Sequence, residues 1–286
     1  MSARILALGA ILLWATLAAL GVALAHLPPF LLTGLALLLG SVPSWFWAAR
    51  QPSLWRVPAG TLGLGVAGLF GYHFLLFIAL RHAPPVEANL VNYLWPLLIV
   101  LLAPVLLPGM ALRPGHLLAA FCGFAGAALA ILGRSASDGA GAVGWAWGYL
   151  PALGSALLWA VYSLLTRRVA PFPTVAVGLF GLVSGVLALL CHALLEPAVS
   201  LGARDMALVA VMGLGPLGAA FFLWDAALKR GDPRQIGVLS YLTPVLSTLM
   251  LVTTTGEPLR WSLAGAALLV TAGAVIASRV RPATAA

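Results

Sequence analysis

The sequence predicts an all-α polytopic membrane protein, with ten transmembrane helices arranged as two inverted five-helix repeats. Three observations carry this. Of 286 residues, 62% are hydrophobic and only 8% are Asp, Glu, Lys or Arg, whereas a soluble domain is about 45–50% apolar and about 25% charged. Such a chain cannot cover a water-facing surface, which excludes a soluble enzyme and a disordered polypeptide. The apolar runs exceed the alternating strands of about ten residues found in outer-membrane barrels and reach the roughly 20 residues that cross hydrocarbon as helix. Finally, motifs of the first half return in the second at a nearly constant offset.

Apolar runs read against charge and Pro/Gly punctuation give spans at 4–24, 30–48, 59–80, 86–107, 116–133, 145–166, 174–195, 206–228, 235–253 and 261–279. Span two opens after Pro28-Pro29, span four after Pro84-Pro85 and span five after Pro114. Arg81, Arg167-Arg168 and Lys229-Arg230 close spans three, six and eight. Trp45, Trp47, Trp55, Trp145, Trp147 and Trp261 fall near span ends, where aromatic belts form. Arg4, an apolar stretch and Ala23-Leu24-Ala25 imitate a cleaved signal peptide, but the repeat gives this segment an interior counterpart, so it is expected to be retained.

Ten spans put both termini on one side. With them fall Arg4, Arg50, Arg56, Arg113, Arg167, Arg168, Lys229, Arg230, Arg234, Arg279 and Arg281, eleven of the fifteen basic residues; Arg81, Arg134, Arg204 and Arg260 lie opposite. The positive-inside rule therefore places the termini in the cytoplasm. Glu87, Asp138, Glu196, Asp205 and Glu257 collect on the outer side. The net charge of +8 is thus an orientation feature and not a nucleic-acid footprint.

Ala7 to Ala15 (ALGAILLWA) returns as Ala152 to Ala160 (ALGSALLWA), seven of nine positions identical at an offset of 145. Ala79-Leu80-Arg81, Pro85 and Tyr93-Leu94-Trp95-Pro96 align with Ala227-Leu228-Lys229, Pro233 and Tyr241-Leu242-Thr243-Pro244 at 148. Gly109, Leu112, Arg113 and Gly126 align with Gly256, Leu259, Arg260 and Gly273 at 147. The repeats are residues 1–135 and 144–286. Each holds an odd number of spans, so the second inserts upside down, and inverted repeats allow two halves to rock around a midplane site.

The repeated Leu-Leu-Trp-Ala start and the hairpin from Gly71-Tyr72-His73-Phe74 through Ala88-Asn89-Leu90-Val91-Asn92-Tyr93-Leu94-Trp95-Pro96 resemble the ten-helix, EamA-like branch of the drug/metabolite transporter superfamily, across essentially the whole chain. Within that branch the Tyr-His pair and the Asn-Tyr-Leu-Trp-Pro run are similar to aromatic amino acid exporters. The resemblance implies a multi-pass protein of the bacterial inner membrane that exports amino acids from the cytoplasm. It also implies a central cavity holding Tyr72, His73, Tyr93, Trp95 and Trp159.

The residues say part of this on their own. Polar groups in hydrocarbon are costly and face a cavity or another helix. Asn89, Asn92, Tyr93 and Pro96 share one face of span four, and Tyr241 repeats Tyr93. Ser155, Trp159, Tyr162 and Thr166 share a face of span six, as do Ser240, Pro244, Ser247 and Thr248 on span nine. For these serines and threonines, interhelical hydrogen bonds of roughly 0.6 kcal/mol each are the expected use. Rings suit an aromatic side chain and a substrate ammonium, while Tyr hydroxyls, indole N–H groups and Asn amides can donate to a carboxylate. Pro96 and Pro244 withhold an N–H from the carbonyls of Asn92 and Ser240, giving free acceptors and hinges.

For coupling, two candidates stand. Asp225 is the only acidic residue away from the span ends, and either pairs with Lys229 at i,i+4 or relays protons; His73 can titrate or stay neutral. Gly115, Ala119, Gly123 and Ala127, Gly181 and Gly185, and Gly273 and Ala277 form small-residue rows, used within a monomer or at a weak homodimer seam. Cys122 and Cys191 have no metal or disulfide spacing. No metal, cofactor or enzymatic activity is expected, since no zinc, serine-hydrolase or phosphate-loop motif occurs. The partners expected are the amino acid substrate and the lipid bilayer. The alternative is export of drugs or other small metabolites, proton-coupled or facilitative.

Overall fold

The computed structural model describes residues 1–135, 146–255 and 261–280, and among them every regular element is helical. The predicted features Asp138, Trp145, Gly256, Glu257, Leu259, Arg260 and Arg281 lie outside the described residues. Seven helical stretches are long and apolar enough to cross a membrane: α1 (Ala3–Ala23), α2 (Pro29–Arg50), α3 (Ala59–His82), α4 (Glu87–Leu106), α7 (Thr174–Leu195), α8 (Ala203–Arg230) and α10 (Trp261–Arg279). The remaining spans are α5 (Pro114–Ser135), α6 (Tyr149–Leu165) and α9, built from Pro233–Leu239 and Leu242–Thr255. The chain is therefore an all-α, multi-pass membrane protein. The sixth span starts later than its expected position at 145, because Ala146–Gly148 form a turn before Tyr149.

Local irregularities recur. Helix α3 is interrupted by a π segment at Ala67–Gly71 and α8 by one at Gly215–Ala219, an offset of 148. Helix α4 breaks after Asn92 and resumes at Trp95, while α9 breaks after Leu239 and resumes at Leu242. Pro96 and Pro244 sit just beyond these breaks, where a missing N–H is least costly.

The packing partners are related in the same way. Helices α2 and α7, α5 and α10, and α4 and α9 pack as like with like. Three further sets of contacts come in exchanged pairs: α1 on α8 with α6 on α3, α1 on α9 with α6 on α4, and α2 on α8 with α7 on α3. Small residues permit the close crossings. A Cβ on Gly185 would lie 3.0 Å from Gly34 O, and one on Gly273 would lie 2.7 Å from Ala119 O. The small-residue rows of α5, α7 and α10 are thus spent on contacts inside this chain.

Gly40 is the tightest test of this packing. A Cβ there would meet Gly213 O at 2.6 Å and Gly218 Cα at 2.7 Å, backbone atoms beside the π segment of α8 that cannot swing aside. Gly40→Val should therefore cost about 1–3 kcal/mol or more and lower the melting temperature in detergent by several degrees. Gly63→Val, with nothing within 4 Å of its Cβ, should leave the melt nearly unchanged.

Candidate functional site

Hydrogen bonds sort the ends of the spans onto two faces. On the terminal face, Arg4 donates to Gln235 Oε1 at 3.2 Å, Arg167 to Gly231 O at 2.7 Å, Arg168 to Leu106 O at 3.2 Å and Arg234 to Ala111 O. On the opposite face, His26 pairs with Asp205 at 3.2 Å. There Glu196 accepts from Phe30 N and Leu31 N, at 3.0 and 3.2 Å, and pairs with Arg81 and His192. Its carboxylate closes the N-terminus of α2, where anions are favoured.

A cavity of about 380 Å³ lies between mid-depth and the opposite face. That volume is within the roughly 300–1,000 Å³ typical of small-molecule sites. It is lined from α1 by Trp14, Leu17 and Ala18, from α3 by Tyr72, His73, Leu76 and Phe77, and from α4 by Asn89, Asn92, Tyr93 and Trp95. Trp159 of α6, Met212, Leu217 and Phe221 of α8, and Thr243 and Ser247 of α9 complete the wall, with Pro29, Leu32 and Thr33 of α2 at its mouth. No lining residue is charged if His73 is neutral.

Toward the terminal face the cavity ends on interlocked rings. Trp14 stands edge-on to Trp159 at 5.7 Å and to Trp95 at 6.4 Å. Trp159 also touches Phe221 at 5.6 Å and Tyr72 at 5.5 Å, and Trp224 lies behind, 5.5 Å from Trp95. Each such pair contributes about 0.5–1.5 kcal/mol beyond burial. Backbone geometry aims the rings. A π turn replaces i→i+4 bonds by i→i+5 bonds, and carbonyls in both π segments accept from side chains of the cavity wall. His73 Nδ1 donates to Leu69 O at 2.6 Å, and Trp14 Nε1 to Pro216 O at 3.1 Å. Because a carbonyl only accepts, Nδ1 carries the His73 proton and a neutral ring keeps Nε2 as an acceptor.

The polar wall is wired across three spans. Ser155 Oγ donates to Asn92 Oδ1 at 2.8 Å, and Asn92 Nδ2 donates to Tyr72 Oη at 3.0 Å. Trp224 Nε1 is satisfied by Ser163 Oγ at 3.1 Å. Two buried lining groups, Trp159 Nε1 and Thr243 Oγ1, have no hydrogen-bond partner among the described residues.

Below the rings, Asp225 is paired with Lys229 at 2.7 Å and accepts from Thr174 Oγ1 at 2.6 Å, while Lys229 also donates to Phe172 O at 2.9 Å. Asp225 is not part of the cavity wall; its i,i+4 spacing to Lys229 forms an ion pair, and its Oδ1 is buried with no hydrogen-bond partner among the described residues. Outside the spans, Asp232 accepts from Arg234 N, Nε and Nη2 at 2.9, 3.0 and 2.6 Å. Burial pushes its carboxyl up, but the Arg234 hydrogen bonds and charge outweigh this and hold it below the ordinary 3.8. Among the described residues no group of three His, Cys, Asp or Glu side chains is placed to hold a metal ion.

Seven of the eight predicted binding residues, Tyr72, His73, Asn89, Asn92, Tyr93, Trp95 and Trp159, meet at the cavity. Tyr241 does not: it is fully buried, and its ring lies over Gly123 and against Phe124. The expected free carbonyl of Ser240 is also corrected, since Thr243 N donates to it at 2.9 Å. The serines and threonines largely bond their own helices, as Ser240 Oγ to Gly237 O at 2.5 Å and Thr248 Oγ1 to Pro244 O at 2.8 Å. Sequence reasoning missed Thr33, Phe77, Met212 and Phe221. Phe77 was accessible, four residues past His73 on the same face; the others sit in apolar stretches with no polar periodicity to mark them.

The model of the EamA-like transporter family matches residues 1–132 and 146–279. The chain is 44% identical over 281 residues, covering 97% of both chains, to the aromatic amino acid exporter YddG of Ancylobacter novellus. It is 29% identical over 239 residues, 79% of each chain, to the aromatic amino acid exporter YddG of Salmonella typhimurium. A solved crystal structure superposes with a TM-score of 0.89 at 44% identity, covering 96% of both chains.

The Asp232 geometry fixes a pH dependence. A carboxyl held below its ordinary value contributes stability that is complete above that value and is lost as pH falls from about 4 through the lower folded one. Asp232→Asn should therefore melt earlier than the parent at pH 7, with the gap closing as the pH is lowered toward 3. A gap independent of pH in thermal melts would contradict this.

Proposed function

Because the chain belongs to the EamA-like transporter family, we propose that it exports aromatic amino acids, and other amino acids of similar size, from the bacterial cytoplasm across the inner membrane. The cavity itself carries the reading: a mid-depth site walled by Trp14, Trp95, Trp159 and Tyr72 with neutral amides and hydroxyls beside them. The substrate ring stacks among the indoles. Its ammonium lies against ring faces, the Asn92 carbonyl, the Asn89 amide oxygen and His73 Nε2. Its carboxylate takes the O–H and N–H donors offered by Tyr72 and Trp159. The relatives named as aromatic amino acid exporters support the same substrate class.

Transport proceeds by alternating access between two inverted repeats, residues 1–135 and 144–286. The recurrence of π segments, breaks and packing pairs at one offset supports this division. The breaks before Pro96 and Pro244 are the hinges. The basic terminal face is cytoplasmic, so the cavity opens outward here, and the Arg167, Arg168 and Lys229 contacts close the inner side. Asp225 is held by Lys229 and Thr174 away from the cavity, which supports facilitated movement down the substrate gradient over proton coupling. The small-residue rows are already used inside the chain, so the working unit is a monomer, and it performs no covalent chemistry.

Proteoliposomes preloaded with labelled phenylalanine should release it faster than protein-free vesicles; equal rates would remove the amino acid assignment. Trp95→Ala should slow release roughly tenfold, about 1.4 kcal/mol, while the protein remains folded by circular dichroism. An imposed pH gradient should leave the initial rate unchanged, and acceleration by the gradient would instead favour proton coupling. Competition by unrelated drugs, with none by amino acids, would favour the drug-export alternative.

A further inference from the structure

Resting on the amino acid reading of the cavity, we propose that Ser155 is a specificity-determining positioning residue. It never touches the substrate, but it sets Tyr72 as a hydrogen-bond donor and so selects ligands that carry a carboxylate. Ser155 is fully buried and Asn92 nearly so, and Ser155 is not part of the cavity wall. It nevertheless controls the wall through two bonds, Ser155 Oγ to Asn92 Oδ1 at 2.8 Å and Asn92 Nδ2 to Tyr72 Oη at 3.0 Å.

A tyrosine hydroxyl has one proton to give. While its oxygen accepts from Asn92, that proton is free for the cavity. Next to it stands a second donor without a partner, Trp159 Nε1, on a ring 5.5 Å from that of Tyr72. Two neutral donors on one wall suit a carboxylate, which only accepts. A neutral amide carbonyl accepts from the same donors with roughly half the strength, and an ammonium cannot accept at all.

The polarity of this wire depends on one proton. Ser155 Oγ also lies 2.8 Å from Ala152 O in its own helix, and a hydroxyl cannot serve two acceptors fully. With the proton on the Asn92 side, the amide is held with Oδ1 toward Ser155, and Tyr72 donates outward. If that donor is lost, no other side-chain bond among the described residues keeps the amide in this sense. Rotated by half a turn, its Oδ1 takes the Tyr72 proton, and the tyrosine offers the cavity a lone pair, which repels a carboxylate. Ser155 therefore determines which end of a zwitterion this wall accepts, although it lies one side chain behind the surface.

Calorimetric titration of the detergent-solubilised protein with phenylalanine and with phenylalaninamide tests this, since the two ligands share the ring and the ammonium. The parent should prefer phenylalanine. Ser155→Ala should shrink that preference about tenfold, the scale of one hydrogen bond to a charged group, chiefly by weakening phenylalanine. Tyr72→Phe should show the same loss, and Ser155→Ala should add nothing in that background. An equal weakening of both ligands, an unchanged ratio, or additive effects of the two substitutions would overturn the proposal, because a merely structural serine would behave in those ways. A folded parent that binds no phenylalanine would overturn the exporter reading, and this inference with it.

Discussion

Inside hydrocarbon every backbone polar group must find a partner within the protein, and the rest of this structure follows from how that demand is met. A regular helix meets it unaided and has nothing left to offer a ligand. Here the helices are made irregular at a few places, and the groups released hold side chains in position. The π segment of α3 presents Leu69 O to His73, and that of α8 presents Pro216 O to Trp14. At the span ends the same demand is met by charge: Glu196 closes the start of α2, and Arg168 caps the Leu106 carbonyl at the end of α4. The aromatic wall of the cavity is thus anchored to backbone, and a mobile ring would be a poor platform for stacking.

The duplicated framework and the site are under different constraints. Positions that shape the backbone keep their character between halves: both π segments are glycine-rich, both broken spans begin with proline, and the basic residue ending α3 is repeated at the end of α8. Positions that face the cavity diverge at the same offset. Tyr72 answers to Ala220, His73 to Phe221 and Trp95 to Thr243. The cavity is consequently polar on the wall of α3 and α4 and apolar on that of α8. A symmetric pair of halves would place identical groups at both ends of the substrate, whereas a zwitterion with one ring needs three different surroundings.

That division explains what the sequence could disclose. The α4 face was legible because Asn89, Asn92 and Tyr93 have no reason to face lipid, and helical spacing joins them. The repeat located the span breaks through proline. It failed at Tyr241, because alignment carries residue identity across halves but not environment. Gly123 of α5 opens a slot beside α9 that only a flat ring fills, and Tyr241 occupies it. Ser155 was visible as a polar residue on the Trp159 face, but its role depends on an amide of α4, two spans away in sequence, that packs against it. The aromatic floor was half legible: Trp14 and Trp159 through the repeat, Trp224 only through its contact with Trp95.

The two faces also differ in what binds the halves together, and this bears on how the cycle is driven. On the terminal face, Arg168 just after α6 reaches the end of α4 in the other half, while Arg167 ties to the end of α8 within its own half. At the repeat-related offset of 145 the first half has Val22 and Ala23, which can make no such bonds. Closing the opposite face therefore cannot be a mirror image of the closure already present. A ligand shifts a conformational balance only by its differential affinity for the two states. On that face Glu196 already ties the halves, pairing with Arg81 and accepting from Phe30 N and Leu31 N, so under the proposed cycle the remaining difference comes from the substrate drawing the α3–α4 wall onto the α8–α9 wall. Trp159 Nε1 and Thr243 Oγ1, both of the second half, are unpartnered groups of the cavity wall that a substrate drawn across from the α3–α4 wall would satisfy. Binding and closure are then one event, and a ligand that satisfies only one wall should occupy the cavity without moving the protein through its cycle.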